Sequence, residues 1–248
     1  MKLALLSDIH ANRQATEAVY AHAKAAGCDK LVFLGDYVDY GGDPSWTLDF
    51  VRHCVEQEGA VAVRGNHDDA MGDFTTSEMS DHVIPSLRWT KSQITLTQRD
   101  WLVALPLLAE VGPCLVAHAN VYDPVHWEYV QGRTEASRSL FATQHQFVFC
   151  GHVHQQCLYN LSATGKAGEF LPAAGIPINL SPARRWLAIP GSVGQPRDGN
   201  PAACYATFDT EAAELTFQRV PYDHEAAAQR VREAGLPEQF AQRLLDGR

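Results

Sequence analysis

The sequence predicts an α/β fold. Three observations carry this. Short apolar runs alternate with helical patterns through the first third of the chain. From about residue 157 the texture changes to short strands joined by turns. The strands end, one after another, in carboxylate, imidazole and amide side chains.

"KLALLSD" reads as the first strand. "ANRQATEAVYAHAKAAG" is an alanine-rich helix stopped by Gly27. "KLVFLGD" is the second strand. "DPSWTLDFVRHCVEQEG" opens on Asp-Pro-Ser, runs amphipathically and stops at Gly59. "AVAVRGNHD" is the third strand. Strands that alternate with helices in this way pair in parallel through right-handed crossovers. Residues 70–110 are less regular. "SLRWTKSQITLTQRDWLVAL" suggests one or two helices, with Thr97 as candidate N-cap of the second. "PCLVAHA" and "FVFCGHVH" are two further strands, with a helix expected near 134–144. "CLYNLS", "RRWLAIPGSV", "CYATFDT" and "ELTFQRVPY" suit an antiparallel sheet. "DHEAAAQRVREAG" and "PEQFAQRLLDG" form a helical tail. With no repeat, low-complexity tract or linker, a single domain over residues 1–248 is expected.

Composition narrows the function. The net charge is -9, with no run of Lys or Arg. Such a surface repels nucleic-acid phosphates, so a nucleic-acid partner is not expected beyond a small nucleotide. It does not exclude a metal-lined phosphate site, where bound cations dominate the local field. The six cysteines form no CxxC pair, and buried thiols in a reducing cytoplasm are the expectation. "LALLSD" is too short for a signal peptide, and no stretch approaches the ~20 apolar residues of a membrane span. The oligomeric state stays open, and a homo-oligomer is allowed.

The chemistry collects at the strand ends, which read "SDIH", "GDYVD", "GNHDD", "AHAN" and "GHVH". In open α/β sheets, ligands bind outside the carboxyl ends of strands. Residues two apart on an extended segment share a side, so Asp8 and His10 face one cavity, as do His152 and His154. The converging groups are Asp8, His10, Asp36, Asn66, His118, His152 and His154. Mixed oxygen and nitrogen donors suit first-row divalent ions, and seven donors suit two ions sharing a carboxylate. Any one of these histidines alone would read as a packed, hydrogen-bonded imidazole.

The ordered motifs DIH at 8–10, GDYVD at 35–39, GNHD at 65–68, His118 and GHVH at 151–154 make the chain resemble the calcineurin-like metallophosphoesterases. "PGSVGQPRDGNPAACYATFD" extends the likeness, to the small bacterial and archaeal phosphodiesterase branch. The resemblance implies a four-layer α/β/β/α sandwich with two mixed β-sheets. It implies that Asp8, His10 and His154 hold one metal, that Asn66, His118 and His152 hold the second, and that Asp36 bridges them. The cofactor is then two divalent or mixed-valence transition-metal ions (Mn, Fe, Zn, Ni or Co). It also implies His67 as proton donor or transition-state stabiliser, oriented by Asp68.

The implied reaction is hydrolysis of small phosphodiesters, and also of phosphomonoesters, by a hydroxide bridging the ions. A phosphoprotein phosphatase and a non-enzymatic scaffold are the alternatives. Two divalent ions balanced by Asp8, Asp36 and hydroxide leave about +1 for a phosphate. Asp39 reads as loop support and Asp69 as a solvated charge. Arg197 is a candidate phosphate contact, since guanidinium forks suit that anion. His126 and Trp127 are candidate pocket walls, the loop at 70–90 a candidate wall or lid, and "PGSVG" at 190–194 a turn near the site. His22, His53, His82, His145 and His224 fall outside the pattern. Where relatives read GDxxDRG, this chain has Tyr40, which favours a branch that relies on metals for phosphate binding.

Overall fold

The computed structural model describes residues 1–72 and 83–248. They form the four-layer sandwich that the resemblance implies. The first sheet contains β1 (Lys2–Leu6), β2 (Lys30–Phe33), β3 (Val61–Ala62), β9 (Pro177–Asn179), β11 (Ala203–Asp209) and β12 (Glu214–Val220), in the order β3-β2-β1-β11-β12-β9. β1, β2 and β3 run parallel, and the other pairings are antiparallel. The second sheet contains β4 (Leu108–Val111), β5 (Cys114–Ala117), β6 (Phe147–Phe149), β7 (Gln156–Ser162), β8 (Ala167–Phe170) and β10 (Arg184–Pro190), in the order β4-β5-β6-β10-β7-β8. β5, β6 and β10 are parallel there, with antiparallel strands on either side.

The two-residue period of a strand decides the layers. Leu3 and Leu5 of β1 join Val116 of β5, Phe149 of β6 and Phe208 of β11 in the core between the sheets. Ala4 and Leu6, the alternate residues, face α1 (Arg13–Ala25), α2 (Pro44–Glu58), α7 (His224–Glu233) and α8 (Glu238–Asp246). Leu115 and Ala117 of β5 face outward with Val148 and Leu187 against α6 (Arg133–Phe141). A strand buried on both faces reads as a continuous apolar run, as "KLALL" does. Each large apolar side chain so buried contributes roughly 1.5–3 kcal/mol.

Local signals set the helix ends. Asn12 caps α1, its side chain accepting from Ala15 N–H at 3.1 Å. Pro44 opens α2 and Gly59 closes it in the left-handed region. Between these come α3 (Asn66–Asp69), α4 (Ile84–Gln93) and α5 (Leu96–Val103). The cap of α5 is Thr95, not Thr97. Thr95 and Gln98 form a reciprocal capping box that satisfies two backbone donors, and Thr97 lies inside the helix. β4, β8 and β9 have no counterpart in the sequence reading, because short, half-exposed strands carry little alternation. Of the 70–90 segment, residues 73–82, with His82, lie outside the described residues. No described helix is long and apolar enough to cross a membrane.

Candidate metal centre

The loops that follow β1, β2, β3, β5 and β6 meet at one edge of the sandwich. β-pairing continues past the strand ends as loop-to-loop bonds. Asp8 N–H donates to Gly35 O at 3.1 Å, His10 N–H to Asp36 O at 2.9 Å and Gly151 N–H to His118 O at 2.7 Å. These bonds bring together all seven donors named from the sequence, and all but the half-buried Asn66 are buried.

The route there differs from the sequence expectation. Asp8, His10, Asp36, His152 and His154 are not extended. Their φ values are 53°, 48°, 56°, 69° and 62°, in the left-handed region. Asp and His enter that region more readily than bulky or β-branched residues. Such conformations cost about 1–3 kcal/mol each and persist where surrounding structure over-determines them. Here the loop-to-loop bonds do so.

Each histidine has one ring nitrogen committed to a backbone carbonyl. His10 Nδ1 donates to Val38 O (3.1 Å), His118 Nδ1 to Leu34 O (2.7 Å), His154 Nδ1 to Gln195 O (2.7 Å) and His152 Nε2 to Trp127 O (3.0 Å). That fixes the neutral tautomers and turns the opposite lone pairs inward. His10 Nε2 and His154 Nε2 then stand 3.2 Å apart, and His154 Nε2 lies 3.2 Å from Asp8 Oδ1. His118 Nε2 stands 3.1 Å from His152 Nδ1, 3.1 Å from Asn66 Oδ1 and 3.2 Å from Asp36 Oδ2. Facing lone pairs at such distances repel unless a cation or a proton lies between them.

The carboxylates are arranged to match. Asp8 Oδ2 accepts from His152 N–H (3.1 Å) and Asp36 Oδ1 from His67 N–H (2.9 Å). The other oxygens, Asp8 Oδ1 and Asp36 Oδ2, are buried without a hydrogen-bond partner. Asp36 Oδ2 also lies 3.8 Å from His10 Nε2, so one oxygen adjoins both groups of donors. Orphaned buried oxygens beside inward-facing imidazole lone pairs fit a pair of divalent cations.

Electrostatics agrees. Burial opposes ionisation of Asp8, but His154 prevails and holds its carboxyl below the usual range. Burial opposes it for Asp36 too, yet His118 and His67 hold it well below that range. Burial lowers the pKa of His10 and His154, and takes that of His152 to about 3. His118 runs the other way. Burial opposes its charging, but the Asp36 carboxylate outweighs this and lifts it to about 9. Without cations a proton therefore occupies His118 below pH 9, and a cation must displace it. Metal uptake is expected to release protons and to tighten as pH rises towards 9. Calorimetric titration with Mn in buffers of different ionisation enthalpy checks this, and zero proton release at pH 7 would contradict it.

Glycines make room for the carboxylates. Gly35 has φ +92°, and a Cβ there would lie 2.7 Å from Gly65 N and 2.8 Å from His118 Nδ1. A Cβ on Gly65 would collide with Asp36 Oδ1. Gly65→Ala is expected to cost about 1–3 kcal/mol, the usual penalty of overpacking, and to reduce bound metal. Denaturation midpoints and metal analysis measure both; an unchanged protein would show that Asp36 has space to move.

His67 lies at the centre's edge, a ring nitrogen within 4.8 Å of ligand atoms of His10 and Asp36. Its Nδ1 pairs with Asp39 Oδ2 at 2.7 Å. This corrects the expectation that Asp68 orients it. Asp68 instead accepts backbone N–H groups of Asp36 (2.8 Å), Tyr37 (2.9 Å) and Gly65 (2.9 Å), bracing two ligand loops. Burial, then the Asp36 charge, pushes the Asp68 carboxyl up to about 7. Burial opposes charging of His67, but Asp36 and the Asp39 hydrogen bond leave its pKa raised.

The remaining expectations divide. His126 is exposed and sits 2.8 Å from Asp123 Oδ1. Its neighbour Trp127 lies against His118, ring centres 5.9 Å apart. Tyr129, which the sequence reading passed over, stacks on His152 at 3.8 Å. The aromatic content of "HWEYV" was its only signal. Arg197 N–H donates to His154 O at 3.2 Å, and "PGSVG" joins the site through Gly194 N–H to Asp8 O at 2.9 Å.

Comparison with known proteins agrees with this arrangement. The family model described as calcineurin-like phosphoesterase superfamily domain matches residues 1–213. An uncharacterized protein of Methanocaldococcus jannaschii is 32% identical over 99% of this chain and 98% of its own length. The crystal structure of a metallophosphoesterase from Sphaerobacter thermophilus has a TM-score of 0.86 at 32% identity, covering 100% of this chain and 99% of that one. A hypothetical protein from Pyrococcus horikoshii OT3 shares the fold, with a TM-score of 0.79 at 18% identity over 100% of this chain and 98% of its own. On these grounds the chain belongs to the calcineurin-like phosphoesterase superfamily.

Proposed function

We propose that the protein hydrolyses small phosphodiesters, and also phosphomonoesters, with two transition-metal ions. The single observation that carries this reading is Asp36 Oδ2, buried, without a hydrogen-bond partner and adjoining both groups of inward-facing donors. Asp8, His10 and His154 would hold one ion, Asn66, His118 and His152 the other, and Asp36 both. When bound, such a pair supplies Lewis acidity towards phosphoryl oxygens and acidifies a bound water to a pKa of about 7.

The chain's own residues do the rest. The backbone carbonyls behind the histidines hold each ring in its ligating orientation. His67, held at Nδ1 by Asp39, keeps Nε2 for donation to the departing oxygen. Trp127 and Tyr129 wall the His118–His152 side, where an ester substituent would lie.

The test is a substrate panel on Mn-loaded protein: bis-nitrophenyl phosphate, nitrophenyl phosphate and a phosphopeptide. Turnover is expected on the bis-ester above the monoester. Turnover of the phosphopeptide alone would make the protein a phosphoprotein phosphatase. No turnover with two ions bound would make it a scaffold.

A further inference from the structure

We propose that Arg197 and Arg243 form a guanidinium pair at the lip of the metal centre that binds the anionic oxygens of the substrate's phosphoryl group. This rests on the hydrolase reading above and adds a residue from the last helix, α8, beyond the part of the chain that the family model matches.

Position is the first ground. Arg243 stands over the Phe240 ring, 5.7 Å from its centre. Phe240 packs against Tyr40 at 4.9 Å, and Tyr40 against His10 and His67, each at 4.7 Å. One layer of aromatic rings thus separates α8 from the metal-ligand loops. Arg197 adjoins the candidate ligand His154. Its backbone is bonded to His154, and its Nη2 donates to Gln195 Oε1 at 3.1 Å.

Unanswered charge is the second ground. The chain has 29 acidic and 20 basic residues, so acidic partners abound. Arg230 and Arg232, in the neighbouring helix, are ion-paired with Asp43 and Glu238. Arg197 and Arg243 have no acidic partner among the described residues, although both are half-buried. Arg197 Nε is buried without any hydrogen-bond partner. Burial, and after it the charge of Arg197, lowers the pKa of Arg243. Two half-desolvated like charges are unfavourable until an anion joins them. A phosphoryl group is an anion that matches guanidinium geometry. Burial raises the pKa of Tyr129, the outer aromatic wall, and the charge of Arg197 opposes that rise.

The probe is inorganic phosphate, measured by calorimetric binding to the Mn-loaded protein and by competitive inhibition. Arg243→Ala and Arg197→Ala are each expected to weaken phosphate binding about 10–100-fold, the worth of a hydrogen bond to a charged group. Metal content should stay at two ions. The KM of dianionic nitrophenyl phosphate should rise more than that of monoanionic bis-nitrophenyl phosphate, and Arg243→Lys should restore part of the loss. Should Arg243→Ala fail to fold, Arg243→Gln replaces it. Phosphate affinity within twofold of the parent in a folded Arg243 variant overturns the proposal, and so does loss of metal from that variant. A parent protein that hydrolyses esters, with unaltered arginine variants, defeats the pair alone. A parent that binds phosphate through both arginines but hydrolyses nothing defeats the hydrolase reading alone.

Discussion

Asp36→Asn is expected to abolish turnover and to leave the protein unable to retain two cations. The substitution is nearly isosteric, so the loop survives. The amide oxygen can still accept from His67 N–H, as Asp36 Oδ1 does at 2.9 Å. What changes is the other atom. An NH2 group replaces the orphaned oxygen and donates to His118 Nε2, which stands 3.2 Å away. The lone pair that a cation needs is then occupied, and one of the two carboxylates among the seven donors is gone. A loss of about 4 kcal/mol, or three orders of magnitude in rate, is the scale expected for removing a group that orders both ions. Metal analysis after dialysis, together with hydrolysis at saturating Mn, measures it. A fully active variant holding two ions would remove Asp36 as the bridge.

His67→Ala separates chemistry from metal binding. The ring is no part of the two donor sets, so metal content should stay at two. The rate should fall about 10²–10⁴-fold, the range for a positioned acid or base. Asp39→Asn, which weakens the 2.7 Å contact to His67 Nδ1, should have a smaller effect in the same direction, about 10–100-fold. The alkaline limb of the pH–rate profile carries a further readout. His67 has a raised pKa, so its proton is present at low pH and lost as pH climbs through that value. Removing Asp39 should move the limb to lower pH. Wild-type kinetics in His67→Ala would take this imidazole out of the reaction.

The sandwich and the side chains able to bind cations were legible for one reason. Motifs such as DIH and GHVH are local, and each follows a strand whose apolar run is itself readable. Several features carried no such mark. Leu34, Val38, Trp127 and Gln195 hold the imidazoles through carbonyls, which every residue possesses. Asp39 and Asp68 are both invited by motif position to partner His67. Only the fold of the 35–40 loop over α3 decides that Asp39 meets the ring while Asp68 takes backbone N–H groups. Arg243 lies 46 residues beyond Arg197 in a helix that reads as ordinary amphipathic packing.

The sequence by itself determined the α/β class, the parallel start of the first sheet and which side chains are chemically able to bind cations. These depend on periodicity and residue type, which a linear chain displays. Tertiary structure alone decided the left-handed turns after β1, β2 and β6 and the tautomer of each candidate ligand histidine. Those depend on contacts between segments far apart in the chain. Asp8 and His152, 144 residues apart, are joined by one hydrogen bond that no local pattern announces.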